Sequence, residues 1–157
     1  VKETKLTNAD GSVKDEVVQA YIGNKLLPGT PPTKYLYDAY AHDSDLELKN
    51  MQRDIDEVVV YGKIPSHSIC IPTIASSNYS PDFMYVVKKG DGTKELNIVI
   101  ETKAYDKETQ ITPDEETKIS CAEEFFKAMT ANGYTVHFRK QINSKDVLTI
   151  VNDLINE

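Results

Sequence analysis

Asp82, Glu101 and Lys103 are charged residues whose types and spacing suit phosphate chemistry. Asp82 follows Pro81 and opens an apolar run, Met84 to Val87, and a second run ends in Glu101-Thr102-Lys103. Gly90-Asp91-Gly92-Thr93 between them is a turn signal, so the two runs read as a β-hairpin. Strand side chains alternate between faces, which sets Glu101 and Lys103 on one face and Thr102 on the other. With Asp82 at the mouth of the neighbouring strand, the three charges converge at one end of a sheet. Two carboxylates beside a lysine make a site for a hard cation and a phosphate.

Each residue also has a plainer reading. Glu101 and Lys103 fit a solvated ion pair on a strand face, and Asp82 fits a turn opened by Pro81. Tyr79 and Phe83 read as packing residues. Lys88, Lys89 and Lys94 form a solvated hairpin tip or else touch phosphate. His42, His67 and His137 are scattered without ligand spacing, so structural or surface roles are expected of them.

The elements that must position the trio follow from pattern. In the first 32 residues, Val1 to Leu6 fits a strand and Asn8-Ala9-Asp10-Gly11 a turn. Glu16 to Ile22 fits a helix or a strand equally, and Pro28-Gly29-Thr30-Pro31-Pro32 reads as a loop or linker. The core is expected to begin at Tyr35-Leu36-Tyr37. Ser44 with Glu47 forms a helix-start capping box, and Leu48, Met51 and Ile55 continue a helical stripe. Val58 to Tyr61 reads as a strand broken by Gly62, and Ser68 to Ile71 as another, ended by Pro72.

After the hairpin, Thr112 as N-cap, Pro113 at N1 and Glu115 at N3 start a helix. Its stripe is Ile119, Ala122, Phe126 and Met129, and Asn132-Gly133 closes it. Tyr134 to Phe138 is a further strand. Ser144 then caps a last helix with Val147, Ile150, Val151 and Leu154 inward. The order predicts an α/β fold, a mixed β-sheet flanked by α-helices with a partly parallel edge.

The 157 residues fit one domain with a sizeable core. No apolar run approaches the ~20 residues of a membrane helix, so no membrane association is expected. Cys70 and Cys121 lack Cys-x-x-Cys spacing and read as buried, reduced thiols of a cytoplasmic protein. The first residue is Val rather than Met, which fits a fragment of something longer. A net charge of −7 is unusual for a nucleic-acid binder. However, the acids cluster at Asp114, Glu115, Glu116, Glu123 and Glu124, while Tyr134 to Lys145 carries His137, Arg139, Lys140 and Lys145 without an acid. A module tethered to a DNA-binding partner also needs little affinity of its own.

Pro81-Asp82 followed by Glu101-Thr102-Lys103 resembles the PD-(D/E)xK nuclease superfamily. Tyr40 to Glu47, Ile71-Pro72-Thr73, Tyr79 to Phe83 and Lys118 to Ala122 with Phe126 occur in an order that narrows the resemblance. They look like the C-terminal nuclease region of the Res subunit of type III restriction enzymes, over roughly residues 35 to 155. Ala104 departs from the pattern, since relatives often have Gly after the lysine.

The resemblance implies a restriction-endonuclease-like fold for residues 35–157, with residues 1–34 a linker or extension from a preceding helicase region. It implies a Mg²⁺-dependent deoxyribonuclease, with Mn²⁺ able to substitute. Asp82 and Glu101 would hold the metal, helped by the Thr102 carbonyl, and Lys103 would orient or help deprotonate the attacking water. The products would be a 5′-phosphate and a 3′-hydroxyl. Glu47 is either a helix-cap partner, a metal or water contact, or both; Lys118 is a candidate phosphate contact. The substrate would be double-stranded DNA, and a separate modification (methyltransferase) subunit would supply recognition. No Gly-x-x-x-x-Gly-Lys-Ser/Thr is present, so ATP would be used by the helicase region upstream. The competing readings are a non-catalytic docking domain of the restriction complex and a repair nuclease on the same fold.

Overall fold

Phe83, Tyr85 and Val87 alternate with more exposed neighbours along one stretch, which is how a strand with one fully covered face is written in sequence. Along the next stretch Leu96, Ile98 and Ile100 share that covered face. The computed structural model describes residue 10 and residues 22–74, 78–88 and 95–157. In chain order the elements are β1 (Lys25–Leu27), β2 (Tyr40–His42), α1 (Asp45–Gln52), β3 (Val58–Lys63), β4 (Ile71–Pro72) and β5 (Asn78–Tyr79). They continue with β6 (Phe83–Lys88), β7 (Glu95–Lys103), a 3-10 turn at Glu108–Gln110, α2 (Pro113–Ala131), β8 (Val136–Ile142) and α3 (Val147–Asn156).

The central sheet has the order β3-β6-β7-β8, antiparallel except for the parallel pair β7–β8. A parallel neighbour needs a crossover, and α2 supplies it. One face carries α1 and α3, where Met51, Val147, Ile150, Val151 and Leu154 pack on Tyr61, Phe83, Tyr85, Ile98 and Ile100. Tyr61 and Tyr85 stack there with ring centroids 5.3 Å apart. The other face carries α2, where Ile119, Ala122 and Phe126 meet Val99, Phe138, Ile71 and Tyr79. The expected mixed sheet flanked by helices is therefore the architecture. Two small sheets, β1–β2 and β4–β5, lie outside it. Within the segment read as a linker, β1 pairs with β2, and the Asn24 N–H donates to Asp43.

The caps expected at Ser44 and Thr112 form, each with a reciprocal bond from the glutamate three residues on. Gly133, at φ +92°, follows α2 as expected. Other expectations need correction. Gly62 does not break β3, which runs through to Lys63 with Gly62 paired to Met84 of β6. Ser68 to Cys70 is not a strand, because the Ser68 amide and hydroxyl both return to the Pro65 carbonyl. The cap of α3 is Asp146, not Ser144: a turn from Lys145 N–H to the Ile142 carbonyl postpones the helix, and Asp146 accepts from Leu148 N–H. β8 begins later than Tyr134 and extends to Ile142. Cys70 is exposed and bonded to the His67 carbonyl, since its turn lies outside both cores, whereas Cys121 is half-buried. His42 is buried beside the Ser44 carbonyl, a structural role as expected. The Gly90 to Thr93 turn, Lys89 and Lys94 lie outside the described residues, as do nearly all of the elements expected before residue 23.

One buried polar contact joins α1 to β8. Asn50 Nδ2 donates to Gln141 Oε1 at 2.6 Å, Gln141 Nε2 returns a bond to Asn50 Oδ1 at 3.1 Å, and Gln141 also reaches the Lys145 carbonyl. Replacing Asn50 by Ala leaves half of a buried amide unpaired, and the expected cost is about 1–3 kcal/mol. Urea denaturation measures it; an unchanged midpoint would mean that this pair does not fix α1.

Candidate active site

Phe83 lies opposite Ile100, so the next step along the pair brings Asp82 to Glu101. β7 runs three residues past the end of β6, where Glu101, Thr102 and Lys103 remain paired with β8 along the other edge. The edge that β6 has left free is taken up by Asp82: its Oδ2 accepts the Thr102 N–H at 2.8 Å and the Thr102 hydroxyl at 2.6 Å. From the β3 side, Ile64 N–H donates to the Asp82 carbonyl at 2.7 Å. Asp82 is thus fixed by strands on both sides.

A cavity of about 300 Å³ opens at this strand end. Asp82, Glu101, Thr102 and Lys103 line it, with Glu47 from α1 and Glu115 from α2. All the residues singled out as catalytic or metal-holding therefore meet in one place. Lys118 does not; it pairs with Asp114 one turn away on α2. Ala104, also in the lining, needs no glycine. The chain turns tightly there through a Tyr105 N–H to Lys103 carbonyl bond, and no residue of that loop has positive φ.

The site is electrostatically loaded. Glu101 is 4% exposed; burial first, and then the charge of Asp82, push its pKa up to about 7, against the pull of Lys103 and Tyr79. Burial raises Asp82 as well, partly offset by the two Thr102 bonds, with Glu47 adding to the rise. Lys103 Nζ sits 2.8 Å from Glu101 Oε1 and 3.3 Å from Glu115 Oε1. Burial works against its charge, but the two carboxylates outweigh that and raise its pKa. Lys103 is held between the carboxyl groups of Glu101 and Glu115.

Glu47 fulfils both of its readings. Its side chain closes the capping box with Ser44 and also accepts from Asp43 N–H at 2.6 Å while facing the cavity. A residue that pattern reading passed over holds it there: buried Lys63, at the end of β3, bonds Glu47 at 2.9 Å and Asp43 at 2.7 Å. Tyr79 was read as packing, yet its buried hydroxyl donates to Glu101 Oε2. Glu115 was read as a cap partner, yet it also faces Lys103. The Tyr79 signal was present in sequence, a tyrosine two residues before the Pro81-Asp82 step; Lys63 gave none beyond ending an apolar run.

Among the described residues, no three histidine, cysteine or carboxylate side chains gather into a ready-made metal cage. The donor set, two buried carboxylates at one strand end, is hard, oxygen-based and sparse. That suits Mg²⁺, which keeps several waters and takes one or two carboxylates plus phosphate. Among the described residues, no helix is long and apolar enough to cross a membrane.

The endonuclease-domain family matches residues 33–145. The Res subunit of the type III restriction-modification enzyme EcoPI of Escherichia phage P1 is 37% identical over 153 residues, 96% of this chain and 16% of that protein. The EcoP15I Res subunit of Escherichia coli gives the same figures. The StyLTI Res subunit of Salmonella typhimurium is 26% identical over 127 residues, 80% of this chain and 12% of its own length. The chain thus spans about a sixth of the length of these two relatives. No solved structure matches. The carboxylates and lysine at the end of β7 all fall inside the matched stretch, and the chain belongs to the endonuclease-domain family.

Proposed function

We propose that this chain is the DNA-cutting domain of a type III restriction enzyme Res subunit, and that its active centre is Asp82, Glu101 and Lys103 with Thr102 and Glu47. The observation that carries the reading is the convergence of these side chains on one cavity at the end of β7. The bond to be broken is the phosphodiester P–O3′ bond of double-stranded DNA, with water as the nucleophile, leaving a 5′-phosphate and a 3′-hydroxyl.

Asp82 and Glu101 would hold Mg²⁺, or Mn²⁺ in its place, with the Thr102 carbonyl as a further oxygen. When bound, the ion would acidify water and neutralise phosphate charge. Lys103, an ammonium in this environment, has no lone pair with which to take a proton from water. Its part is to orient the nucleophile and to offset charge building on the phosphorus oxygens. Tyr79 and the Thr102 donors keep the two carboxylates from rotating away. Glu47, pinned by Lys63, adds negative charge at the cavity wall and offers a contact for water or metal. Such an arrangement confronts like charges that a docking scaffold has no reason to keep together. ATP-driven movement and sequence recognition would reside in the remaining length of the protein and in a modification subunit.

In the enzyme that contains this chain, Asp82→Ala and Lys103→Ala are each expected to lower DNA cleavage by about 100-fold or more. Cleavage that survives both substitutions rules the site out. Calorimetric titration of the chain with Mn²⁺ should show binding that Asp82→Ala removes.

A pH dependence follows from Glu101. Its pKa in the folded chain, about 7, lies above the ordinary 4.5, so the folded state binds that proton more tightly than the unfolded state does. Its stabilising contribution is complete below about pH 4.5 and is lost as pH rises through about 7. Metal-free, Glu101→Gln should flatten that loss and raise stability near pH 8 by on the order of 1–3 kcal/mol. Thermal unfolding of both chains across this range is the measurement; identical pH slopes would mean that the two carboxylates do not confront each other as described.

A further inference from the structure

Glu115 occupies the third position of α2 and serves as the capping-box partner of Thr112. That duty is discharged by one of its oxygens. Oε2 accepts from Thr112 N–H at 3.0 Å, the Thr112 hydroxyl at 2.9 Å and the Tyr105 hydroxyl at 3.2 Å. Oε1 points the other way, to Lys103 Nζ at 3.3 Å. A capping box accepts Glu or Gln at this position, so the cap does not require the charge. The contact with Lys103 does.

The charge has a use because Glu101 is asked to do two things. Its Oε2 is taken by the Tyr79 hydroxyl and its Oε1 by the Lys103 ammonium. A divalent cation sharing Glu101 competes with that ammonium and repels it, since like charges a few ångströms apart in a half-buried site interact strongly. Held by Glu101 alone, Lys103 would swing out to solvent when the ion arrives. Glu115 lies on a different element, is clamped by three donors, and keeps its free oxygen on the lysine.

We propose that Glu115 is a positioning residue that retains the Lys103 ammonium in the active site while Glu101 serves a divalent cation. Its charge thus has a function separable from its part in capping α2. The proposal rests on the reading of Asp82, Glu101 and Lys103 as the metal-dependent centre.

The test is a double-substitution cycle on the full chain with Mn²⁺ as the probe, comparing wild type, Glu115→Gln, Lys103→Met and the combination by calorimetry and thermal melting. Because Gln preserves the cap, Glu115→Gln should melt close to wild type. Its Mn²⁺ affinity should nevertheless fall about 5- to 10-fold, because Lys103 then leans wholly on Glu101. In the Lys103→Met background the same change should alter affinity by no more than about twofold. In the complete enzyme, Glu115→Gln should lower kcat for DNA cleavage about 10-fold with KM little changed. Equal Mn²⁺ binding by wild type and Glu115→Gln overturns the proposal. So does an equal loss in both backgrounds, which would mark Glu115 as a general negative charge. A wild-type chain that binds no Mn²⁺ overturns the metal-dependent centre itself, a failure distinct from the other two.

Discussion

The pairing of Phe83 with Ile100 decides what can happen at the end of the central sheet. Side-chain direction has a period of two, so a slip of one residue would set Glu101 and Lys103 among the tyrosines and move Ile100 to the face that carries α2. The register is held by what such a slip would expose. Phe83, Tyr85, Val87, Leu96, Ile98 and Ile100 are all almost wholly buried on one face. The apolar core therefore does more than stabilise the fold. It fixes the phase of β6 against β7, and that phase brings Asp82 to Glu101.

Given that phase, the difficulty is to keep two buried carboxylates together. Each is supplied with donors from a different direction. Asp82 takes the backbone and hydroxyl hydrogens of Thr102, available only because β7 outruns β6 while remaining paired with β8. Glu101 takes a phenol from the β5 side and an ammonium from its own strand. Glu47 is given a lysine from β3. Donors to the three carboxylates therefore come from β3, β5 and β7. Removing one donor from such a set leaves a buried charge uncompensated, which costs more than the bond itself was worth.

How far the sequence disclosed this depended on the range of the interaction. Ser44 with Glu47 and Thr112 with Glu115 were legible because a capping box is complete within four residues. The hairpin strands were legible from alternation, and the Asp, Glu and Lys trio from its place at their ends. Lys63 was not, because its partners lie 16 and 20 residues away on another element, and a lysine closing an apolar run resembles any solvated strand end. Gly62 misled for a related reason: the β6 residue that pairs with it and carries the strand through, Met84, is remote in sequence. Ser144 misled because a serine offers itself as a cap, whereas a turn closed by Lys145 hands the role to Asp146.

The acidity of the chain bears on how such a site meets DNA. Part of the excess of 25 acids over 18 bases is spent within the fold. Lys63 and Lys103 are each committed to two carboxylates, and Arg139 and Lys145 to Glu157 and Asp153. These four described cations are thereby drawn away from phosphate neutralisation, the sequence-independent source of affinity for a duplex. A cutting centre of this kind gains by having its substrate delivered. Tethered to a partner that binds DNA, it works at an effective concentration near millimolar for a short link, and weak binding of its own then limits cutting elsewhere. The carboxylates proposed to hold the metal would also keep the free domain from holding DNA, and these two properties fit a domain occupying about a sixth of its relatives' length.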